Sequence, residues 1–249
     1  MQPRFVDCRP RDAYLAGHVP GAAHADPEQD LTGDDGGGRH PLPRAEAFSA
    51  WASRAGIGSD TLVVGYDDDT GWAARLWWLL RHFGHEAAGV IRFDAWHGPL
   101  ATGEEEIAAA AFEARPRTGD TAAADELLER LGDDSLTLVD ARAPERWRGE
   151  TEPIDPVAGR IPGARNRFFL DESPLPQELL DAPDLVVYCG SGVTACAVLH
   201  ELHLAGRDDA RLYPGSFSEW YALGPVESDD FSAQDEASAE ADASSRENP

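Results

Sequence analysis

Cys189-Gly190-Ser191-Gly192-Val193-Thr194-Ala195 is the segment of this chain best equipped for chemistry. A single cysteine heads a small turn containing two glycines. Glycine accepts backbone conformations that bring successive N–H groups to the inside of such a turn. The apolar run Leu185-Val186-Val187-Tyr188 before it reads as a short buried strand, and the segment from Thr194 to about Ala205 reads as a helix. A helix start adds unpaired N–H groups and a partial positive charge. This cradle favours an anionic sulfur, so Cys189 is expected to have a depressed pKa and to act as a nucleophile. On the residues alone, a thiol walled off from solvent, or one that titrates like an ordinary thiol, would overturn the enzyme reading.

The elements that must position Cys189 occur twice. Phe5-Val6-Asp7-Cys8-Arg9, Tyr14 and Gly17-His18-Val19-Pro20-Gly21-Ala22 in the first half match Leu138-Val139-Asp140-Ala141-Arg142, Trp147 and Gly159-Arg160-Ile161-Pro162-Gly163-Ala164 in the second. Each set precedes an apolar strand, Leu62–Tyr66 or Leu185–Tyr188, then a polar turn and a helix. The first helix is expected over Ala73–Phe83, with Leu76, Leu79, Leu80 and Phe83 at helical spacing. Strands alternating with helices predict an α/β fold, two mainly parallel sheets flanked by helices. Ligands bind such sheets at the carboxyl ends of strands, which is where Cys189 falls. The expected organisation is a first domain over 1–98, a linker over 99–120, a second domain over 121–226 opening with a helix near Ala122–Leu131, and a disordered acidic tail over 227–249.

The formal charge of −25 on 249 residues, with no lysine, excludes a basic nucleic-acid surface; it reads as a solvated coat or a surface selecting basic partners. No apolar run is long enough to cross a membrane, and the N-terminus lacks a signal-type apolar stretch. The three cysteines are too few for a disulfide framework, and no Cys or His clusters stand at metal-binding spacing. The expectation is a cytoplasmic protein without metal or other cofactor.

The Cys-Gly-Ser-Gly-Val-Thr loop resembles the active-site loop of the rhodanese-type sulfurtransferases, which transfer sulfane sulfur through a cysteine persulfide. The resemblance extends over residues 5–226. Gly38-Arg39-His40-Pro41-Leu42-Pro43, Arg75-Leu76-Trp77-Trp78-Leu79-Leu80 and Gly84-His85 are similar to the first domain of two-domain members. Trp147-Arg148-Gly149-Glu150, Glu152–Gly159 and Tyr213–Trp220 are similar to the second. It implies tandem rhodanese-like domains and a sulfurtransferase using thiosulfate or 3-mercaptopyruvate as donor and a thiol or cyanide as acceptor. Asp67 stands in the first half where Cys189 stands in the second, so the first domain is expected to be non-catalytic.

The resemblance also suggests roles. Gly190, Ser191, Gly192, Val193 and Thr194 would cradle the persulfide with backbone N–H groups. Arg146 would bind the donor anion, for which a planar guanidinium is suited. Arg142 is expected to brace its own loop through Asp140. Ser191 could join a relay with His18 and an acidic residue of the first domain, Asp12 being nearest; alternatively His18 pins a loop by hydrogen bonds. Cys196 is expected as a small core residue, with a resolving thiol as the other reading, and Cys8 as core. Arg160 departs from the histidine usual at its position, and Asp155-Pro156 stands near the place of a second substrate arginine. A phosphatase on the same fold would need an arginine where Ala195 stands. A non-enzymatic sulfur-relay or binding module is the remaining alternative.

Overall fold

The structure, a computed structural model, describes residues 3–229. The first half holds strands β1 (Arg4–Asp7), β2 (Ala23–His24), β3 (Val63–Asp67) and β4 (Ala88–Arg92), with helices α1 (Arg11–Ala16), α2 (Ala45–Arg54) and α3 (Trp72–His82). The second holds β5 (Leu136–Asp140), β6 (Arg165–Asn166), β7 (Asp184–Tyr188) and β8 (Arg211–Leu212), with α4 (Ala124–Glu129), α5 (Pro144–Arg148), α6 (Gln177–Leu180), α7 (Ala195–Leu204) and α8 (Ser216–Trp220). Each half forms a four-stranded, all-parallel sheet, ordered β2-β1-β3-β4 and β6-β5-β7-β8.

The repeat holds down to single hydrogen bonds. Asp7 takes the Arg9 guanidinium in a fork while Arg9 also donates to Gly17 O at 2.6 Å; Asp140, Arg142 and Gly159 do the same at 2.6 Å. Tyr66 OH accepts from Val19 N at 3.1 Å, and Tyr188 OH from Ile161 N at 3.0 Å. Each buried arginine is thus a brace that ties a strand end to the following loop, and the paired carboxylate offsets the cost of burying its charge. In this alignment Asp67 occupies the place of Cys189. Its carboxylate accepts from Ala73 N at 3.0 Å and Thr70 Oγ1 at 2.9 Å, so it steadies the start of α3.

The halves share one apolar core. A single cluster runs from Val6, Val63 and Leu76 to Val139, Val187 and Leu199, and α3 packs on α7. Ala73 through Leu80 are all buried, so α3 is covered all round. Truncating one of its buried leucines to alanine costs about 2–5 kcal/mol.

Helix positions differ modestly from expectation. α3 is shifted by one residue, and α4 is shorter than the expected Ala122–Leu131. Residues 99–120 carry no helix or strand and are held by bonds such as Ala110 N to Ser53 O and Arg115 N to Phe83 O, each 3.0 Å. The beginning of the expected tail is a correction. Glu227 pairs its backbone with Arg160 at 2.8 and 3.0 Å, and its carboxylate accepts from Gly163 N at 2.9 Å. The remainder of the tail, 230–249, lies outside the described residues. No helix among the described residues is long and apolar enough to cross a membrane.

Candidate active site

β7 ends at Tyr188, and Cys189 follows at the carboxyl edge of the second sheet. Its backbone N–H donates to Ser216 Oγ at 3.1 Å, and Ser216 in turn donates to Tyr213 O at 2.9 Å. Ser216 holds φ at 51°, a left-handed conformation costing a non-glycine residue about 1–2 kcal/mol. That strain places the hydroxyl beneath the loop. Cys189 O and Gly190 O accept from Phe217 N at 3.0 Å and Ser218 N at 2.9 Å, so the start of α8 clamps the loop from one side.

Within the loop, Gly192 N donates to Cys189 Sγ at 3.1 Å. Gly192 has φ 78°, and a Cβ there would lie 2.6 Å from Pro214 O, so only glycine can turn the chain here. The N–H groups of Gly190, Ser191, Val193 and Thr194 donate to no acceptor among the described residues. They remain available to an anion, with the N-terminus of the ten-residue α7 behind them. Cys189 itself is 2% exposed, which does not match the open thiol that the sequence reading required.

The other cysteines lie in the core. Cys196 donates to Gly192 O at 3.3 Å, and burial pushes its thiol up to about 12. Burial also raises the Cys8 thiol well above its ordinary value, with Asp67 and Asp7 adding to the effect. All three cysteines are free.

Ser191 Oγ lies 2.7 Å from Nδ1 of His40, and Nε2 of His40 lies 3.3 Å from Glu28. Burial, reinforced by Arg75 and Arg39, lowers the His40 pKa despite Glu28. A neutral imidazole donating to Glu28 leaves Nδ1 to accept the Ser191 proton, the order of a hydroxyl–imidazole–carboxylate relay. Of the two readings of His18, the relay is corrected and the loop pin is the one met. Both ring nitrogens of His18 are engaged elsewhere, with Tyr14 O at 2.8 Å and Glu105 at 3.3 Å, and the residue is fully buried. Glu105 also accepts from Gly21 N at 2.8 Å. Its counterpart in the other half is Glu227, which meets Arg160 and Gly163 N in the same way. His18 and Arg160 are therefore equivalent loop pins, which also accounts for the arginine at that place. Asp12 is exposed, and its carboxylate accepts from Ala13 N at 2.9 Å.

Two further first-domain residues reach the loop. Arg75, fully buried on α3, donates to Gly192 O at 3.1 Å and to His40 O at 2.9 Å and Pro41 O at 3.3 Å. It pairs with no carboxylate among the described residues, and burial lowers its pKa. Arg39 donates its backbone N–H to Ser218 Oγ at 3.0 Å and pairs with Asp155. Gly38 makes this approach possible: φ is 80°, and a Cβ would lie 2.4 Å from Gly215 O. Arg146 lies beside the loop as well, paired with Glu152 at 2.6 Å and Asp155 at 3.6 Å. Arg142 braces Asp140, as expected, and reaches Glu152 at 3.1 Å.

The rhodanese-like domain model matches residues 1–96 and again 123–223. The chain belongs to the two-domain, rhodanese-type sulfurtransferase family. It is 42% identical over 234 residues to a probable 3-mercaptopyruvate sulfurtransferase of Pseudomonas aeruginosa, covering 83% of this chain and 82% of that one. It is 37% identical over 241 residues to a putative thiosulfate sulfurtransferase, SseB, of Mycobacterium tuberculosis, covering 84% and 81%. The crystal structure of SseA from Escherichia coli, a 3-mercaptopyruvate sulfotransferase, superposes with a TM-score of 0.71 at 28% identity over 87% of this chain and 93% of that one. His40, Glu28, Arg39 and Arg75 were not assigned roles from sequence. The Gly38–Pro43 motif marked two of them, but nothing in the linear order joins it to a loop some 150 positions away.

Proposed function

We propose that this sulfurtransferase carries sulfane sulfur on Cys189, taking it from 3-mercaptopyruvate or thiosulfate and giving it to a thiol or cyanide. The observation that carries the reading is the contact of Gly192 N–H with Cys189 Sγ, inside a loop whose neighbouring N–H groups have no acceptor among the described residues. Such a loop can hold a terminal persulfide anion as readily as a thiolate.

With thiosulfate, the Cys189 thiolate attacks the outer sulfur. A cysteine–sulfur bond forms, the sulfur–sulfur bond of the donor breaks, and sulfite departs with the electron pair. With 3-mercaptopyruvate, the Cys189 thiolate attacks the donor's sulfur, a sulfur–sulfur bond forms and the carbon–sulfur bond breaks; the donor's thiol proton, taken up through Ser191 by the neutral His40 with Glu28 behind it, passes back to the departing pyruvate enolate. In the second half-reaction an acceptor thiolate or cyanide attacks the outer sulfur, and Cys189 leaves as thiolate. Arg146 binds the donor's anionic group. The near-complete burial of Cys189 means that donor entry requires the surrounding side chains to part. Three free thiols suit a reducing compartment, and we place the protein in the cytoplasm.

Treatment with either donor is expected to add the mass of one sulfur to the wild type and none to Cys189→Ser. Persulfide that forms but does not pass to a free thiol or cyanide would instead identify a relay module. A Cys189→Ser protein with full turnover would refute the reading.

A further inference from the structure

We propose that Arg39 of the first domain is the second half of the donor's anion clamp, and that Asp155 fills that clamp at rest as an internal stand-in for the donor. The inference rests on the sulfur-donor reading above and deepens it.

Arg39 and Arg146 converge on one point. A Cβ added to Gly190, the residue after the nucleophile, would lie 2.9 Å from the guanidinium of Arg39 and 3.5 Å from that of Arg146. Asp155 bridges the two, with Oδ1 on Arg39 and Oδ2 3.6 Å from Arg146. A carboxylate between two guanidiniums over the nucleophile's loop has the geometry that an α-keto acid carboxylate or the sulfonate end of thiosulfate requires. Arg39 brings the second guanidinium from the other domain.

The charge balance gives Asp155 its role. Arg39, Arg142 and Arg146 face Asp140, Glu152 and Asp155, so the cluster is neutral at rest. An incoming anion finds no net attraction until one carboxylate withdraws. Asp140 and Glu152 are committed. Asp140 holds the Arg142 fork and backbone, and Glu152 accepts from Ile154 N and Asp155 N, both at 3.1 Å. Asp155 is the one that can leave. Its Oδ2 makes no hydrogen bond among the described residues and reaches Arg146 only at 3.6 Å, a looser hold than the 2.6 Å contact of Glu152 with the same guanidinium. Its neighbours Ile154 and Val157 are 60% and 37% exposed, so little packing holds this segment shut.

The test measures binding of thiosulfate, and separately of pyruvate, by calorimetry in a Cys189→Ser background, where no sulfur moves. Asp155→Asn is expected to tighten both about tenfold, and Arg39→Gln to weaken both about tenfold, with Arg39→Lys between. In Arg39→Gln, adding Asp155→Asn should recover little of the loss, because the clamp is then missing one arm. Thermal melts identify any variant that fails to fold, and Arg39→Lys, which keeps the charge, then decides for that arm. Asp155→Asn binding no tighter than wild type, or Arg39→Gln binding as well as wild type, overturns the proposal. Failure of wild-type protein to form a persulfide with either donor would refute the sulfurtransfer reading, while the binding series would still decide on Arg39 and Asp155.

Discussion

The hydroxyl of Ser191 in the second domain lies 2.7 Å from Nδ1 of His40 in the first. The Cys189 loop is therefore completed by the domain that carries Asp67 at the corresponding place. The contact also separates the two donors, since the enolate leaving from 3-mercaptopyruvate needs a proton and sulfite leaving from thiosulfate does not. Ser191→Ala and His40→Gln are each expected to lower kcat for 3-mercaptopyruvate about 10- to 100-fold, the range of general acid–base assistance, and kcat for thiosulfate less than about threefold. Steady-state rates with both donors check this, and equal losses would remove the relay.

Gly192→Ala places a Cβ 2.6 Å from Pro214 O at φ 78°. The strain costs on the order of 2 kcal/mol and turns the Gly192 N–H away from Cys189. Persulfide yield by mass spectrometry should fall sharply, while circular dichroism should still show a folded α/β protein.

Arg75 holds three carbonyl oxygens of the interface, those of Gly192, His40 and Pro41. Arg75→Met fills similar space but leaves these acceptors buried and unpaired. A net loss of about 2 kcal/mol is expected, because the unmet hydrogen bonds outweigh the relief of an unpaired buried charge. The urea midpoint reports it; an unchanged or higher midpoint would show that the charge burial dominates.

His200 packs edge-on to Trp77 between the domains, with ring centroids 4.8 Å apart. Burial, helped by His203 and Arg81, lowers its pKa from 6.5 to about 4. The unfolded chain therefore takes up the proton first. Stability is full above pH 6.5 and is lost as pH falls toward 4, by on the order of 2–3 kcal/mol from this residue. Denaturation midpoints at pH 7 and pH 4.5 should differ less in His200→Gln than in wild type; an equal difference would assign the acid limb to other groups.

The parallel sheets, the repeat and the cysteine loop were legible in the linear order because each rests on local rules. Apolar strands followed by glycine turns and helices make β–turn–α units, and the motifs around them recur in each half. His18 shows the limit of that reading. Its Gly-His-Val-Pro-Gly-Ala setting favours a relay and a loop pin alike, and only the carboxylate of Glu105, 87 positions away, decides for the pin. His40, Arg39 and Arg75 came together with the loop through the packing of α3 on α7 and the approach of Gly38 to α8, contacts between halves that no spacing encodes. The sequence by itself determined which sulfur atom sits in a ring of backbone N–H groups, because a cysteine on a glycine turn ahead of a helix is a local arrangement. Only the tertiary structure decided which charges and protons surround that atom, because electrostatics acts through space and the partners come from the other domain.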